Sequence, residues 1–345
     1  MHISSDIRSL DIEKLERILM KQNFEKYRAT QIFDWLSKGD TRSFDQMKNL
    51  PKDLILFLNS RFIINNVIIK LVTKSNDGTV KFLLSLCDDN IIEAVLIPSE
   101  NRITACVSCQ VGCSLDCDFC ATAKIKRMRN LDFYEIFDQS MILNFESVKL
   151  FGKSISNIVF MGMGEPLLNY KNVLKAIEMI CSKKGIGISK KKITVSTSGM
   201  SKIIKLLADN NAKFKLAVSL HSAIEKTRND IMPFSKDFPL SELMDSLNYW
   251  YKKTKSKVTI EYLVWESIND NMDHIKSLVE FCKRVPSKVN IIEFNDIGYL
   301  KFKRAETSWI QKYIEILKIN NIPVSIRRSR GEDINAACGQ LANKI

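Results

Sequence analysis

Apolar residues recur at helical spacing near the start of the chain. Leu10, Ile12, Leu15, Ile18 and Leu19 share one stripe, and Ile32, Phe33, Trp35 and Leu36 continue it. Gly39-Asp40 interrupts the pattern. Residues 43–60 predict two short helices, with Pro51 suited to the first turn of the second. From about 63 the character changes. IINNVIIKLVTKS, GTVKFLLSLCD and IIEAVLIP are rich in Val and Ile, and Asn76-Asp77-Gly78 is a hairpin signal between the first two. These segments predict a short antiparallel sheet.

Beyond a cysteine-rich stretch the chain alternates. Strands are expected at 155–161, 192–198, 213–220, 257–265, 288–294 and 322–327, and helices at 132–148, 169–183, 200–210, 240–253, 270–284 and 305–320. Strand–helix alternation of this kind makes parallel βαβ units. With the strand entering the cysteine stretch, the count fits an α/β fold, a partial or open barrel. The expected organisation is a small helical module at 1–62, a short β extension at 63–100, and the barrel with its C-terminal segment at 101–345.

Composition narrows the class. The 345 residues are 45% hydrophobic and 26% charged, an ordinary globular balance. Net charge is +13, which suggests a polyanionic partner, most commonly nucleic acid. No apolar run reaches the ~18 residues of a membrane span. The N-terminus shows no apolar stretch typical of a secretory signal, so a cytoplasmic, reducing location is expected, where clustered thiols serve metals or catalysis.

Five of the nine cysteines fall in CVSCQVGCSLDCDFC, from Cys106 to Cys120. Cys113, Cys117 and Cys120 stand at C-x3-C-x2-C, with Phe119 before the last. A fully ligated cubane iron–sulfur cluster takes four thiolates, so three leave one iron open to a ligand. The competing reading is structural zinc held by the pairs Cys106–Cys109 and Cys117–Cys120. Its gap is shorter than ribbon spacing, and it leaves Cys113 over. A non-catalytic zinc-dependent RNA-binding protein stays open at this point. A disulfide framework does not suit a chain long enough to bury a core.

Function in parallel barrels collects at the carboxyl ends of strands. Four such ends are unusual here: FMGMGEPL with Gly162, Gly164 and Glu165, TVSTSG with Ser196 and Ser198, AVSLHS with Ser219 and His221, and IIEFN ending at Asn295. Any one alone reads as turn chemistry. Glu93 is an acid within an apolar strand, most simply facing outward.

The spacing of the three cysteines resembles the cluster loop of radical S-adenosylmethionine enzymes. CVS-x-QVGC-x3-C-x-FCAT, RNL, FMGMGEPLLN, ITVSTSG, LAVSLHS and RGEDINAACGQL together resemble the adenine carbon-2 RNA methyltransferases of that superfamily, from about 90 to the end. The resemblance implies a partial radical-SAM barrel with an N-terminal RNA-binding accessory domain. It implies methylation of adenine 2503 of 23S rRNA and adenine 37 of certain tRNAs. A 4Fe–4S cluster would sit on Cys113, Cys117 and Cys120. S-adenosylmethionine would be held by Gly164, Glu165, Ser196, Ser219, Leu220, His221 and Asn295. Cys338 would carry the methyl group, Cys106 would resolve the RNA–protein tether, and Glu93 would accept the carbon-2 proton. The scheme consumes two molecules of S-adenosylmethionine: one methylates Cys338, and the second yields the radical that removes hydrogen from that methyl group. It needs a reducing electron donor, and a reductant for the Cys106–Cys338 disulfide it leaves. The related carbon-8 adenine methyltransferases are the nearest alternative. Position 109, usually serine in the family, is Cys109 here, and its role is open.

Charge is expected to meet RNA near the reactive centre. Lys124, Lys126, Arg127 and Arg129 follow the cysteine loop, and Arg327, Arg328 and Arg330 precede Cys338.

Overall fold

The computed structural model describes residues 5–298 and 301–342. The N-terminal unit packs α1 (Ile12–Met20), α2 (Arg28–Leu36) and α3 (Lys52–Arg61) around their own core, with Leu15, Leu19, Ile32, Leu54 and Leu58 fully buried. Two-residue strands β1 (Ser5–Asp6) and β2 (Phe62–Ile63) pair in parallel and close the unit. The first of the two helices expected in 43–60 is a single 3-10 turn, Phe44–Gln46. Pro51 stands at the N-cap of α3, one position before the expected first turn.

One ten-stranded sheet forms the rest. The strands β3 (Ile68–Lys74), β4 (Val80–Ser85), β5 (Ile91–Ser99) and β6 (Arg102–Cys106) run antiparallel in succession. Two-residue β7 (Gln110–Val111) and β8 (Arg129–Asn130) pair beside them. From β6 the sheet continues in parallel through β9 (Asn157–Phe160), β10 (Ile193–Thr197), β11 (Lys215–Ser219), β12 (Val258–Leu263), β13 (Ser287–Ile292) and β14 (Val324–Arg327). Strand order follows chain order, and β3 and β14 are edges that do not pair with each other. The barrel is therefore open, as the strand count suggests.

Each parallel crossover carries helix: α4 (Phe133–Phe151), α5 (Tyr170–Cys181), α6 (Ser201–Asp209), α7 (Glu225–Ile231) with α8 (Leu240–Thr254), α9 (Met272–Arg284) and α10 (Thr307–Ile319). The Asp132–Glu135 capping box starts α4, and Gly152 at φ 66° ends it. Among the described residues no helix is long and apolar enough to cross a membrane.

A buried ion pair fastens the N-terminal unit to the barrel. The Arg8 guanidinium donates to both Asp138 carboxylate oxygens at 2.9 and 2.8 Å and to Asp6 at 2.9 Å. It also lies 4.4 Å from the centre of the Tyr134 ring.

Candidate active site

The cysteine loop leaves the end of β6 and is stitched to the loop after β9. Val107 N–H donates to Val159 O, Gly162 N–H to Val107 O, and Cys109 N–H to Met163 O. Gly112 has φ +72°, and a Cβ there would lie 2.6 Å from Lys126 O, so the turn that aims Cys113 admits only glycine. Cys113, Cys117 and Cys120 then line one cavity at the carboxyl ends of the strands. Phe119 fixes the loop from below, 4.7 Å edge-on from His221 and 5.1 Å from Trp265.

Burial dominates the thiol electrostatics. It pushes Cys113 up to about 12, and it raises Cys117 and Cys120, with neighbouring cysteines adding to the effect. Such thiols ionise only when a cation replaces the proton. Among the described residues no three ligands gather tightly enough for a single ion. A cubane presents its irons at separate corners, so three thiols spread around one cavity suit a cluster better than a lone zinc. Cys106, needed for the paired zinc site, opens into a different cavity.

The same first cavity is walled by Gly164, Glu165, Ser196, Ser219 and His221. Gly164 has φ +98°, and a Cβ there would strike the Gln110 side chain at 2.5 Å. The Glu165 carboxylate accepts N–H groups from Leu167 at 3.0 Å and Ser198 at 2.8 Å. Burial nevertheless raises its pKa, a penalty on the carboxylate that a cationic amine beside it would offset. His221, at φ +57°, accepts Leu263 N–H at Nδ1, which leaves Nε2 to carry the proton. Burial, and then the Arg228 charge, push it down to about 3, so it is neutral. Leu220 lies behind this wall, fully buried, with its carbonyl engaged by Arg228. Asn295 lines the second cavity. Its side-chain amide donates to Cys338 O at 3.3 Å, and its buried Oδ1 has no protein partner.

That second cavity, of about 640 Å³, holds Cys106. Cys338 lines both cavities, as do Met161, Glu261, Ile292 and Arg327. Burial pushes Cys106 up to about 12, with the Cys338 charge second, while Arg327 pulls it down. Arg327 is in turn held charged chiefly by Cys338 and also lies 3.9 Å from Glu261. All nine cysteines are free thiols.

A C-terminal strap presents Cys338. Gly331 N–H donates to Asp77, and Asp333 accepts from Ser75 Oγ at 2.6 Å. Ala121 N–H donates to Gly339 O at 2.7 Å, and Thr122 Oγ1 to Leu341 O at 2.6 Å. Glu93 belongs to this clamp. It is fully buried, 3.1 Å from the Lys81 ammonium, and accepts Ala342 N–H at 2.8 Å. It therefore does not face outward, because the strap covers that side of β5, and it lines neither cavity.

Two further arginines depart from the sequence expectation: Arg228 carries no signal there, and Arg129 carries a different one. Fully buried Arg228 donates to Ser219 O at 3.0 Å and Ser198 O at 2.6 Å, tying the ends of β10 and β11 together. Arg129, expected to face RNA, is instead bound by Glu135 at 2.7 and 2.8 Å and by Asp88 at 2.6 Å.

Comparison with known proteins fits this geometry. Residues 107–282 match the Radical SAM superfamily model, and residues 5–64 match the ribosomal RNA large subunit methyltransferase N-terminal domain. A Flavobacterium psychrophilum protein described as a probable dual-specificity RNA methyltransferase RlmN is 54% identical over 98% of both chains. A Geotalea uraniireducens dual-specificity RNA methyltransferase RlmN is 39% identical over 99% of this chain and 97% of its own. The crystal structure of a radical SAM methyltransferase from Sphaerobacter thermophilus superposes with a TM-score of 0.91 at 34% identity, covering 99% of this chain and all of that one. Radical SAM enzymes use a 4Fe–4S cluster and S-adenosylmethionine, and the three thiols, the Gly164 approach and the buried Glu165 carboxylate of the first cavity fit both groups. The chain belongs to the RlmN family of dual-specificity RNA methyltransferases, radical SAM enzymes that modify RNA.

Proposed function

We propose that this protein methylates carbon 2 of adenine in 23S rRNA and in tRNA, with Cys338 as the methyl carrier. The observation that carries the reading is the place of Cys338 in a wall common to two cavities. One contains Cys113, Cys117 and Cys120, and the other contains Cys106. When bound at the first cavity, the cluster and S-adenosylmethionine would supply the methyl group and the hydrogen-abstracting chemistry.

Cys113, Cys117 and Cys120 hold the cluster. Gly164, Glu165, Ser196, Ser219 and His221 hold S-adenosylmethionine by their polar atoms and close backbone approach, with Leu220 supporting from behind and Asn295 reaching it from the adjoining second cavity. Cys338 presents its sulfur-bound carbon to adenine in the second cavity. Glu93 accepts the carbon-2 proton once the strap releases its carboxylate from Ala342. Cys106, as thiolate, then attacks the Cys338 sulfur. A Cys106–Cys338 disulfide forms, the bond from Cys338 sulfur to the transferred carbon breaks, and that carbon leaves with the electron pair and takes up a proton from solvent to become the methyl group. An external thiol reductant restores both cysteines, and a one-electron donor serves the cluster.

Organisation follows the same division: an RNA-binding helical unit at 1–62, a β extension at 63–100 and a catalytic barrel from 101. The test is the isomer made. Unmodified 23S rRNA and tRNA, incubated with the reconstituted enzyme and digested to nucleosides, yield 2-methyladenosine by mass spectrometry. Recovery of 8-methyladenosine, or of no methyladenosine, contradicts the reading.

A further inference from the structure

The inner face of the barrel can be read strand by strand. Period-2 alternation puts Arg102, Thr104 and Cys106 on one face of β6, Lys215, Ala217 and Ser219 on one face of β11, and Lys288, Asn290 and Ile292 on one face of β13. The later members of each series reach the reactive end. The first members stand at the starts of the strands, the opposite mouth.

Parallel barrels ordinarily fill this lumen with bulky branched side chains. Here Thr104, Thr259 and Asn290 line an open cavity that runs from Arg102, Lys215 and Lys288 up to Cys106 and Cys338. Among the described residues lining it, Glu261 is the only carboxylate, and it is engaged by Asn290 at 3.0 Å and faces Arg327 at 3.9 Å. No ion pair with a carboxylate is found among the described residues for Arg102, Lys192, Lys215 or Lys288. Burial, and then the charges of Lys288, Lys192 and Arg102, lower the pKa of Lys215. Arg102, Lys215 and Lys288 line this end of the cavity, and Lys192 stands beside them electrostatically. With Glu261 the one carboxylate among the described lining residues, the surplus of positive charge prepares the free protein for an anionic ligand.

We propose that this mouth is the RNA entrance, where Arg102, Lys192, Lys215 and Lys288 hold backbone phosphates beside the target nucleotide while its base passes up the lumen to Cys338. The inference rests on the RNA-methylation reading and adds where the RNA docks. Such contacts position the strand without reading sequence, and the base leaves its stack to enter. A small acidic electron carrier is the competing occupant. It suits this mouth less, because the cysteine loop lies at the other end of the strands.

The test compares reconstituted holoenzymes binding an unmodified 23S rRNA transcript across a salt series. Arg102→Gln, Lys215→Gln and Lys288→Gln combined weaken binding by at least about tenfold at ~0.15 M salt and flatten the log Kd–log salt slope by about two to three. Cys338 methylation and RNA-independent 5′-deoxyadenosine release stay at wild-type levels. Arg102→Lys, Lys215→Arg and Lys288→Arg combined retain binding. Lys149→Gln, Lys252→Gln and Lys253→Gln, on the outer helices α4 and α8, remove the same charge and leave the slope unchanged. If the triple mouth variant loses iron, Lys215→Gln alone carries the test with a slope change of about one.

An unchanged Kd and slope in the mouth variant overturns the proposal while leaving RNA methylation intact. So does an equal loss in the outer-helix control, or retained RNA binding with lost reduction by an acidic electron carrier. A wild-type enzyme that leaves the transcript unmethylated defeats the function reading, and this proposal falls with it.

Discussion

Cys106 and Cys338 come from the two ends of the barrel sequence, yet they line one cavity, and Cys338 adds to the burial that raises the Cys106 thiol. Arg327 stands beside both. The arrangement is what the proposed resolution by Cys106 of an intermediate carried on Cys338 requires.

The resolving step carries a pH signature. Burial, the largest cause, holds the Cys106 thiol above its ordinary range even when Cys338 is alkylated, so little thiolate exists at neutral pH, and each unit of pH raises it about tenfold. Decay of the RNA–protein tether in a single turnover therefore accelerates log-linearly from pH 7 to 9 without a plateau. Arg327→Gln, which removes the charge that favours the thiolate, slows decay at every pH in that range. A flat profile in the wild-type enzyme contradicts the assignment. The raised pKa also favours the folded state below the ordinary thiol range, and that contribution is lost as pH climbs toward 12.

The proposed cluster ligands have a separable signature. Cys117→Ala removes a thiol from a cavity lined by three. The expected protein lacks the iron and sulfide of the wild type and releases no 5′-deoxyadenosine. Full iron content with continued cleavage runs against the assignment.

Gly164→Ala tests the approach of the cofactor. Its backbone lies at φ +98°, and the new Cβ meets Gln110, whose Oε1 accepts the Glu165 N–H at 2.9 Å. Strain of ~1–3 kcal/mol displaces Gln110 and Glu165 together. Calorimetric titration is expected to show S-adenosylmethionine binding at least about tenfold weaker, with the cluster retained. Unchanged affinity excludes this glycine from the site.

Arg8→Ala tests the join between the helical unit and the barrel. It leaves Asp138 buried without its cation, and breaking such a pair costs ~3–5 kcal/mol. Denaturant unfolding reads this loss directly, and a change below ~1 kcal/mol shows that the contact is dispensable.

Much of the fold was legible because β10 through β14 and their helices obey simple periodicities, and because polar residues stand where parallel strands end. The rest depends on distant contacts. Arg228 lies in a short helix without an apolar stripe, and only folding brings its guanidinium to Ser198 and Ser219. Glu93 invites an outward reading because alternation cannot foresee a strap covering β5 from the far end of the chain. Arg129 reads as an RNA contact until Glu135, one turn into α4, claims it. The three cysteines stand out by spacing alone and line one cavity, whereas Cys338 rests on resemblance and on its place between two cavities.

The most direct measurement of the central claim compares Cys106→Ala and Cys338→Ala enzymes incubated with RNA, S-adenosylmethionine and reductant, then resolved under denaturing conditions. If both were only packing residues, each substitution would cost ~0.5–3 kcal/mol of stability and neither would trap RNA. With Cys338 as carrier and Cys106 as resolver, Cys106→Ala accumulates a covalent RNA–protein species removed by RNase, and Cys338→Ala forms neither the species nor methylated RNA. Normal turnover by Cys106→Ala, or a tether formed by Cys338→Ala, contradicts the account.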